Sequence, residues 1–298
     1  MTARVTISLF LASLVFSAQA LDTLAYGSDS RYDAAFIDTN GRLRVFPVSG
    51  GDFAMSLPVS FADLTYAGDG LSLYGFGPGR EGPKGLARAE LKSLRVTIVP
   101  NTNAFKMVSG FAISPKQDLI VISGSYKGPE SPGCGIYEVK LPGGQVRRIA
   151  GNPYCEQEHS WVGLSLSPDA RSLVAYRKPT LEVIDMESGH IRTIGEGFIG
   201  GAWSPDGKWL AVLEADGHNR TELLNSITMK RLRVFGTSNL AWSPDSRLLL
   251  AQRTEHCSPG WSSLVEIDVE SGKETPIEGS HCKVNLNTAG WVSRDILQ

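Results

Sequence analysis

Gly201-Ala202-Trp203-Ser204-Pro205-Asp206-Gly207-Lys208-Trp209-Leu210-Ala211-Val212-Leu213 decides the fold, because the same arrangement returns along the chain. The phrase Ser-Pro-Asp recurs as Ser167-Pro168-Asp169 and Ser243-Pro244-Asp245, each time between two apolar runs. Phe111-Ala112-Ile113-Ser114-Pro115 is a further copy, and the stretch around Asp69 is a degenerate one. In every copy the apolar run before serine reads as a strand. Proline then fixes φ and removes a backbone donor where the ladder stops, and aspartate with its small neighbour supplies the turn into a second strand. The unit is a hairpin repeated every 40 to 50 residues or so, a spacing that belongs to repeat arrays such as propellers.

The second strand is apolar at successive positions in Leu210-Ala211-Val212-Leu213 and Leu248-Leu249-Leu250-Ala251. Such a run packs on both faces, as in a sheet sandwiched between neighbours. A second phrase, Ile184-Asp185-Met186-Glu187-Ser188-Gly189, returns as Ile267-Asp268-Val269-Glu270-Ser271-Gly272. Equivalent turns are read at Thr39-Asn40-Gly41, Lys92-Ser93, Pro142-Gly143-Gly144 and Thr228-Met229-Lys230. Four strands per unit and six units predict an all-β, six-bladed β-propeller. The chain opens with a hairpin over 35–48 and ends in Ala289 to Leu297, a partial unit. Pairing of these N- and C-terminal strands is expected to close the ring and remove exposed edges.

Arg4 followed by the apolar stretch Val5 to Phe16 and by Ala18-Gln19-Ala20 reads as a signal peptide over residues 1–20, with the propeller over 21–298. No later segment is apolar for long enough to span a bilayer. The net charge is −2, and no basic stripe suggests nucleic acid as a partner.

Four cysteines sharpen this picture. Cys134 and Cys155 straddle the Pro142-Gly143-Gly144 turn, and Cys257 and Cys282 straddle the Val269 to Gly272 turn. Antiparallel pairing puts such positions opposite each other, which predicts the disulfides Cys134–Cys155 and Cys257–Cys282. Export makes oxidation natural. The competing reading is a thiolate or metal site, since His256 and His281 directly precede cysteines; it requires the reduced state.

Both predicted bridges fall at the end of the blades away from the Ser-Pro-Asp turns, among the longest loops. Long loops on a rigid scaffold are where binding and catalysis reside. The candidate binding residues there are Tyr126, Tyr154, Glu156, Glu158, His159, Trp161, Arg253, His256, Trp261 and His281. No ligand spacing such as His-x-x-x-His appears, so no metal or cofactor is expected. Gly77-Pro78-Gly79-Arg80-Glu81-Gly82 matches a dinucleotide-binding pattern but contains proline between β segments, and reads as a glycine-rich loop. No G-x-S-x-G elbow is present, and the recurring Asp169, Asp206 and Asp245 read as turn formers rather than catalytic carboxylates.

The phrases around Ser204 and Ser243 resemble the WD40-like repeats of the TolB-like propeller family. The resemblance covers most of residues 111–251 and concerns the propeller part only, without a preceding α/β domain. It implies an exported six-bladed scaffold that binds other proteins. The expected function is accordingly a non-enzymatic propeller that binds a protein or peptide through its loop face or central opening. The alternative is a lyase or hydrolase acting on a carbohydrate or lactone, with the histidines and glutamates named above at the mouth.

Overall fold

The computed structural model describes residues 32–297 apart from 38–41, 47–52, 59–62, 77–84, 130–131, 152–161, 215–219, 236–237, 244, 254–256, 259–260, 278, 283 and 286–288. The expected signal peptide, Leu21 to Arg31 and the Gly77 to Gly82 loop lie outside the described residues.

The chain forms six antiparallel sheets in succession. Blade one holds β1 (Tyr32–Ile37), β2 (Arg42–Phe46) and β3 (Phe53–Ser56); blade two holds β4 (Asp63–Tyr66), β5 (Ser72–Phe76), β6 (Leu86–Glu90) and β7 (Val96–Ile98). Blade three is β8 (Phe105–Ile113), β9 (Leu119–Tyr126), β10 (Gly133–Lys140) and β11 (Gln145–Gly151). Blade four is β12 (Val162–Leu166), β13 (Ser172–Arg177), β14 (Thr180–Asp185) and β15 (Ile191–Glu196). Blade five is β16 (Phe198–Trp203), β17 (Trp209–Glu214), β18 (Thr221–Asn225) and β19 (Arg231–Phe235). Blade six contains β20 (Ser238–Trp242), β21 (Leu248–Arg253), β22 (Trp261–Asp268) and β23 (Glu274–Pro276), with the short β24 (Val284–Asn285) paired to β22 outside the main order. The last strand, β25 (Ala289–Ser293), returns to blade one.

The first strands of successive blades touch in a closed cycle, β25, β4, β8, β12, β16, β20 and back to β25. That cycle makes the sheets a six-bladed ring, and it sets blades three and six opposite each other. Closure is made by β25, which pairs antiparallel to β1 from Phe36↔Ala289 to Tyr32↔Ser293.

The ring also corrects the assignment of Thr39-Asn40-Gly41. With β25 as the first strand of blade one, β1 and β2 are its second and third strands. Residues 38–41 therefore link strands two and three, rather than three and four as in the other copies. An Asn-Gly pair suits any tight reversal, so its chemistry does not say which hairpin it closes.

The Ser-Pro-Asp phrases are turns. The Ser204 hydroxyl donates to Asp206 Oδ1 at 2.7 Å, Lys208 N–H donates to the same oxygen at 3.1 Å, and Trp209 N–H donates to Ser204 Oγ at 2.9 Å. The same three bonds recur around Ser167 and around Ser243. In the divergent copy the Ser114 hydroxyl reaches Asp118 instead, at 2.6 Å. The residue after the aspartate has positive φ in each full copy, 57° at Ala170, 72° at Gly207 and 62° at Ser246. Each aspartate is thus spent on backbone donors, a structural role.

The residue before the serine of each phrase is a wedge between blades. Ile113, Leu166, Trp203 and Trp242 occupy this place, all at most 6% exposed. Trp242 Nε1 donates to the Ala202 carbonyl at 2.9 Å, a buried bond from blade six to blade five. The two-face burial expected of the second strands is present in β17 and β21, where the four central residues of each are buried.

Candidate functional site

At the end of the blades opposite the Ser-Pro-Asp turns, blade six carries a loop cluster held by a disulfide. Cys257 precedes β22 and Cys282 follows β23; the two are joined in a disulfide with Cα atoms 5.3 Å apart. Polar bonds fix the same loop from beneath. The fully buried Ser280 receives Leu264 N–H at 3.0 Å and donates to the Ile277 carbonyl at 2.7 Å. The Ser262 hydroxyl donates to the Val284 carbonyl at 3.0 Å. Cys282 is held at φ 50°, a left-handed conformation uncommon for a residue with a Cβ, while its N–H donates to Ser263 Oγ at 3.1 Å.

Around this staple stand three residues read from the sequence as binding candidates. Trp261 opens β22 and is 41% exposed, whereas Trp203 and Trp242 are 6% and 1% exposed. His281 is exposed, and its Nδ1 lies 3.2 Å from Ser263 Oγ. Arg253, at the end of β21, forms an ion pair with Glu274 on β23. Arg253, Trp261 and His281 therefore belong to one blade.

Tyr126 is a different case. The sequence reading puts it in a loop, but β9 runs on to Tyr126, which is 3% exposed. Its ring packs 4.9 Å from Phe105 and 5.3 Å from Tyr137, centroid to centroid. Gly124 permits this extension: a Cβ there would meet the Met107 carbonyl oxygen at 2.1 Å. The tyrosine is part of the core of blade three.

Tyr154, Glu156, Glu158, His159, Trp161 and His256 lie outside the described residues, so of the histidines and glutamates of the enzyme alternative only His281 is described. Cys134 is disulfide-bonded, and its expected partner Cys155 lies outside the described residues. The thiolate alternative for blade six is not the state seen, since Cys257 and Cys282 are oxidised.

Sequence reading singled out Arg253 but missed the band of ion pairs at this end to which it belongs. Arg177, Glu214 and Arg253 each stand ten residues beyond the serine of their Ser-Pro-Asp phrase, so the phrase itself locates them. Arg177 pairs with Glu182 and Arg220 with Glu214, the latter at 2.7 Å. Glu222, 1% exposed, pairs with Arg231. Burial, then a hydrogen bond with Glu214, pushes the Glu222 carboxyl up to about 7, while Arg231 opposes the shift. Arg177–Glu182 and Arg220–Glu214 lie where the loops leave the sheet, and Glu222–Arg231 joins β18 to β19.

Also unforeseen is a cleft of about 530 Å³ between blades two and three, at the Ser-Pro-Asp end, with walls that include Tyr74, Arg88, Ile98, Pro100, Asp118 and Pro142. Its polar groups already have hydrogen-bond partners within the two blades. Arg88 Nε and Nη2 donate to Ser72 Oγ at 3.2 and 3.1 Å, and the Tyr74 hydroxyl donates to Gln117 Oε1 at 3.1 Å.

The disulfide of blade six bears directly on stability. It closes a segment with a sequence separation of 25, for which loop-closure entropy gives roughly 3 kcal/mol. Replacing both Cys257 and Cys282 by serine is expected to lower the unfolding free energy by about that amount. A urea titration of both proteins checks it, and a peptide map of the non-reduced parent should contain the Cys257–Cys282 linked pair.

No sequence-family profile matches the chain, and no curated protein sequence does either. Solved structures share its fold. TolB from Acinetobacter baumannii is similar over 89% of this chain and 67% of its own, with 14% identity and a TM-score of 0.63. A nidogen/laminin complex contributes a chain similar over 88% of this one and 98% of its own, with 16% identity and a TM-score of 0.64. An oligogalacturonate lyase in complex with manganese covers 88% of this chain and 76% of its own, at 14% identity and a TM-score of 0.57. At these identities the likeness is one of fold, which different chemistries share. Together with the ring of six four-stranded blades, it shows that the chain has the six-bladed β-propeller fold.

Proposed function

We propose that this chain is an exported propeller that binds a protein or peptide partner through the disulfide-pinned loop face of blade six. The observation that carries this reading is Trp261, 41% exposed at the start of β22, where β24 pairs with it and the disulfide and Ser280 fix the neighbouring loop. A large aromatic held rigidly in solvent meets a partner at little conformational cost, and tryptophan is the residue most enriched among binding hot spots. Export is supported by the oxidised cysteines in blades three and six and by the apolar N-terminal stretch of the sequence.

Selection of peptides from a displayed library against the oxidised protein tests the proposal. Selected peptides are expected to lose about 30-fold in affinity toward Trp261→Ala, the equivalent of a 2 kcal/mol hot spot. Peptides that bind Trp261→Ala as they bind the parent would remove this face as the binding surface.

A further inference from the structure

The staple of blade six brings together three residues of metal-ligand type. Cys257 Sγ, Cys282 Sγ and a ring nitrogen of His281 all lie within 4.8 Å of one another. His281 Nε2 is 3.7 Å from Cys282 Sγ, close to the N···S edge of roughly 3.5 Å in a tetrahedron with Zn–S of about 2.3 Å and Zn–N of about 2.0–2.1 Å. Ser263 sits at the centre of the cluster. Its Oγ is 3.7 Å from Cys257 Sγ and 3.2 Å from His281 Nδ1, and it accepts Cys282 N–H at 3.1 Å. When His281 carries its proton on Nδ1 and donates it to Ser263, the Nε2 lone pair is left facing the cysteines. A hydrogen bond that fixes the tautomer and orientation of a ligating imidazole is the usual outer support of a zinc-bound histidine.

We infer that reduction of Cys257–Cys282 converts this loop into a zinc site of two thiolates and the His281 imidazole, with the fourth position open to water. The step balances. A dithiol reductant supplies two electrons and two protons, cleaving the S–S bond to two thiols as the reductant closes its own disulfide. Zinc then binds both sulfurs and Nε2 as the two thiol protons leave to solvent. In the oxidised protein the sulfur electrons are committed to the S–S bond, and His281 alone holds a metal weakly. The same loop is thus pinned by a covalent bond in an oxidising compartment and by a metal in a reducing one. On the Cys282 side the placement comes from Ser263 on β22 and from Ser280, whose hydrogen bonds do not depend on the bridge.

The test uses the full chain with Cys134→Ser and Cys155→Ser, so that one cysteine pair remains. Reduced with a phosphine and titrated anaerobically with Co²⁺, it should develop thiolate-to-cobalt charge-transfer absorption in the near ultraviolet. Tetrahedral ligand-field bands should appear in the visible, and all should vanish on adding Zn²⁺. His281→Ala is expected to weaken metal binding at least about tenfold, and the oxidised protein should show none of these bands. Should the double serine variant fail to fold, the reduced parent is compared with Cys257→Ser/Cys282→Ser. The bands should be present in the first and lost in the second, and bands of equal strength in both overturn the inference. Cobalt bound without thiolate bands, or His281→Ala binding as tightly as its parent, overturns the inference.

Discussion

A chain lacking residues 289–298 should fail to give a cooperative unfolding transition, while adding the missing segment as a synthetic peptide should restore one. The segment supplies the whole of β25, the first strand of blade one, paired to β1 over five positions. It is also the strand through which blade one touches β20 on one side and β4 on the other. Val292 is 0% and Ile296 6% exposed, packed with Leu64, Tyr66 and Leu43 from blades one and two. Each buried aliphatic of this size is worth about 1.5–3 kcal/mol, so the two together contribute roughly 3–6 kcal/mol. That is comparable with the roughly 5–15 kcal/mol by which a domain is stable. Ser293 N–H, bonded to the Gly70 carbonyl at 2.9 Å, is lost as well.

Removal also leaves β1 with a bare edge beside the fully buried Ala34 and Ala35, a template for pairing with other chains. Aggregation on refolding is expected of the shortened chain, and thermal melts followed by circular dichroism with light scattering would show both effects. Val292→Asp tests the same contact without shortening the chain, by placing a charge where no water reaches; it should lower stability by several kcal/mol. A shortened chain that melts cooperatively near the midpoint of the parent would mean that closure contributes little to this ring.

Closure was legible because the terminal fragments are incomplete in complementary ways, and the Ser-Pro-Asp phrase fixed the phase of the blades between them. What the phrase could not convey is which hairpin a generic turn closes. Asn40-Gly41 suits any tight reversal, and only the position of β25 shows that it follows a second strand. Tyr126 misleads for a related reason. A tyrosine between glycines resembles a loop residue, yet Gly124 lets β8 and β9 approach closely enough for the strand to continue.

The cluster around Cys257 was half legible. Symmetry of the cysteines about a turn revealed the pair, and adjacency revealed His281. Ser263 and Ser280 carry no signal in the sequence, because a serine in an alternating strand or a loop has many uses. Only the fold brings Ser263 within 3.2 Å of the His281 ring. The charged band shows the opposite case. Arg177, Glu214 and Arg253 were locatable from the repeat, but their partners lie on other strands at no constant offset, so the pairing needed coordinates.

The second large effect is expected at Trp242. It shares a core cluster with Ala202 and Leu223 from blade five and Leu249 and Ile267 from its own blade, and at 1% exposure it is the largest fully buried side chain among the described residues. Trp242→Ala removes a ring from a close-packed junction and leaves a cavity that two rigid sheets cannot collapse. The cost is expected to be about 3–5 kcal/mol, read as a lower urea midpoint at unchanged slope. Trp242→Phe separates packing from the hydrogen bond. It keeps an aromatic body in the wedge and deletes the Nε1 donor that reaches the Ala202 carbonyl at 2.9 Å, so its cost should be smaller, near 1–2 kcal/mol. The ordering matters more than either value. If the alanine variant were no worse than the phenylalanine variant, the blades would be held by their strands and loops alone. The residue before each Ser-Pro-Asp phrase would then be a filler rather than the wedge that joins one blade to the next.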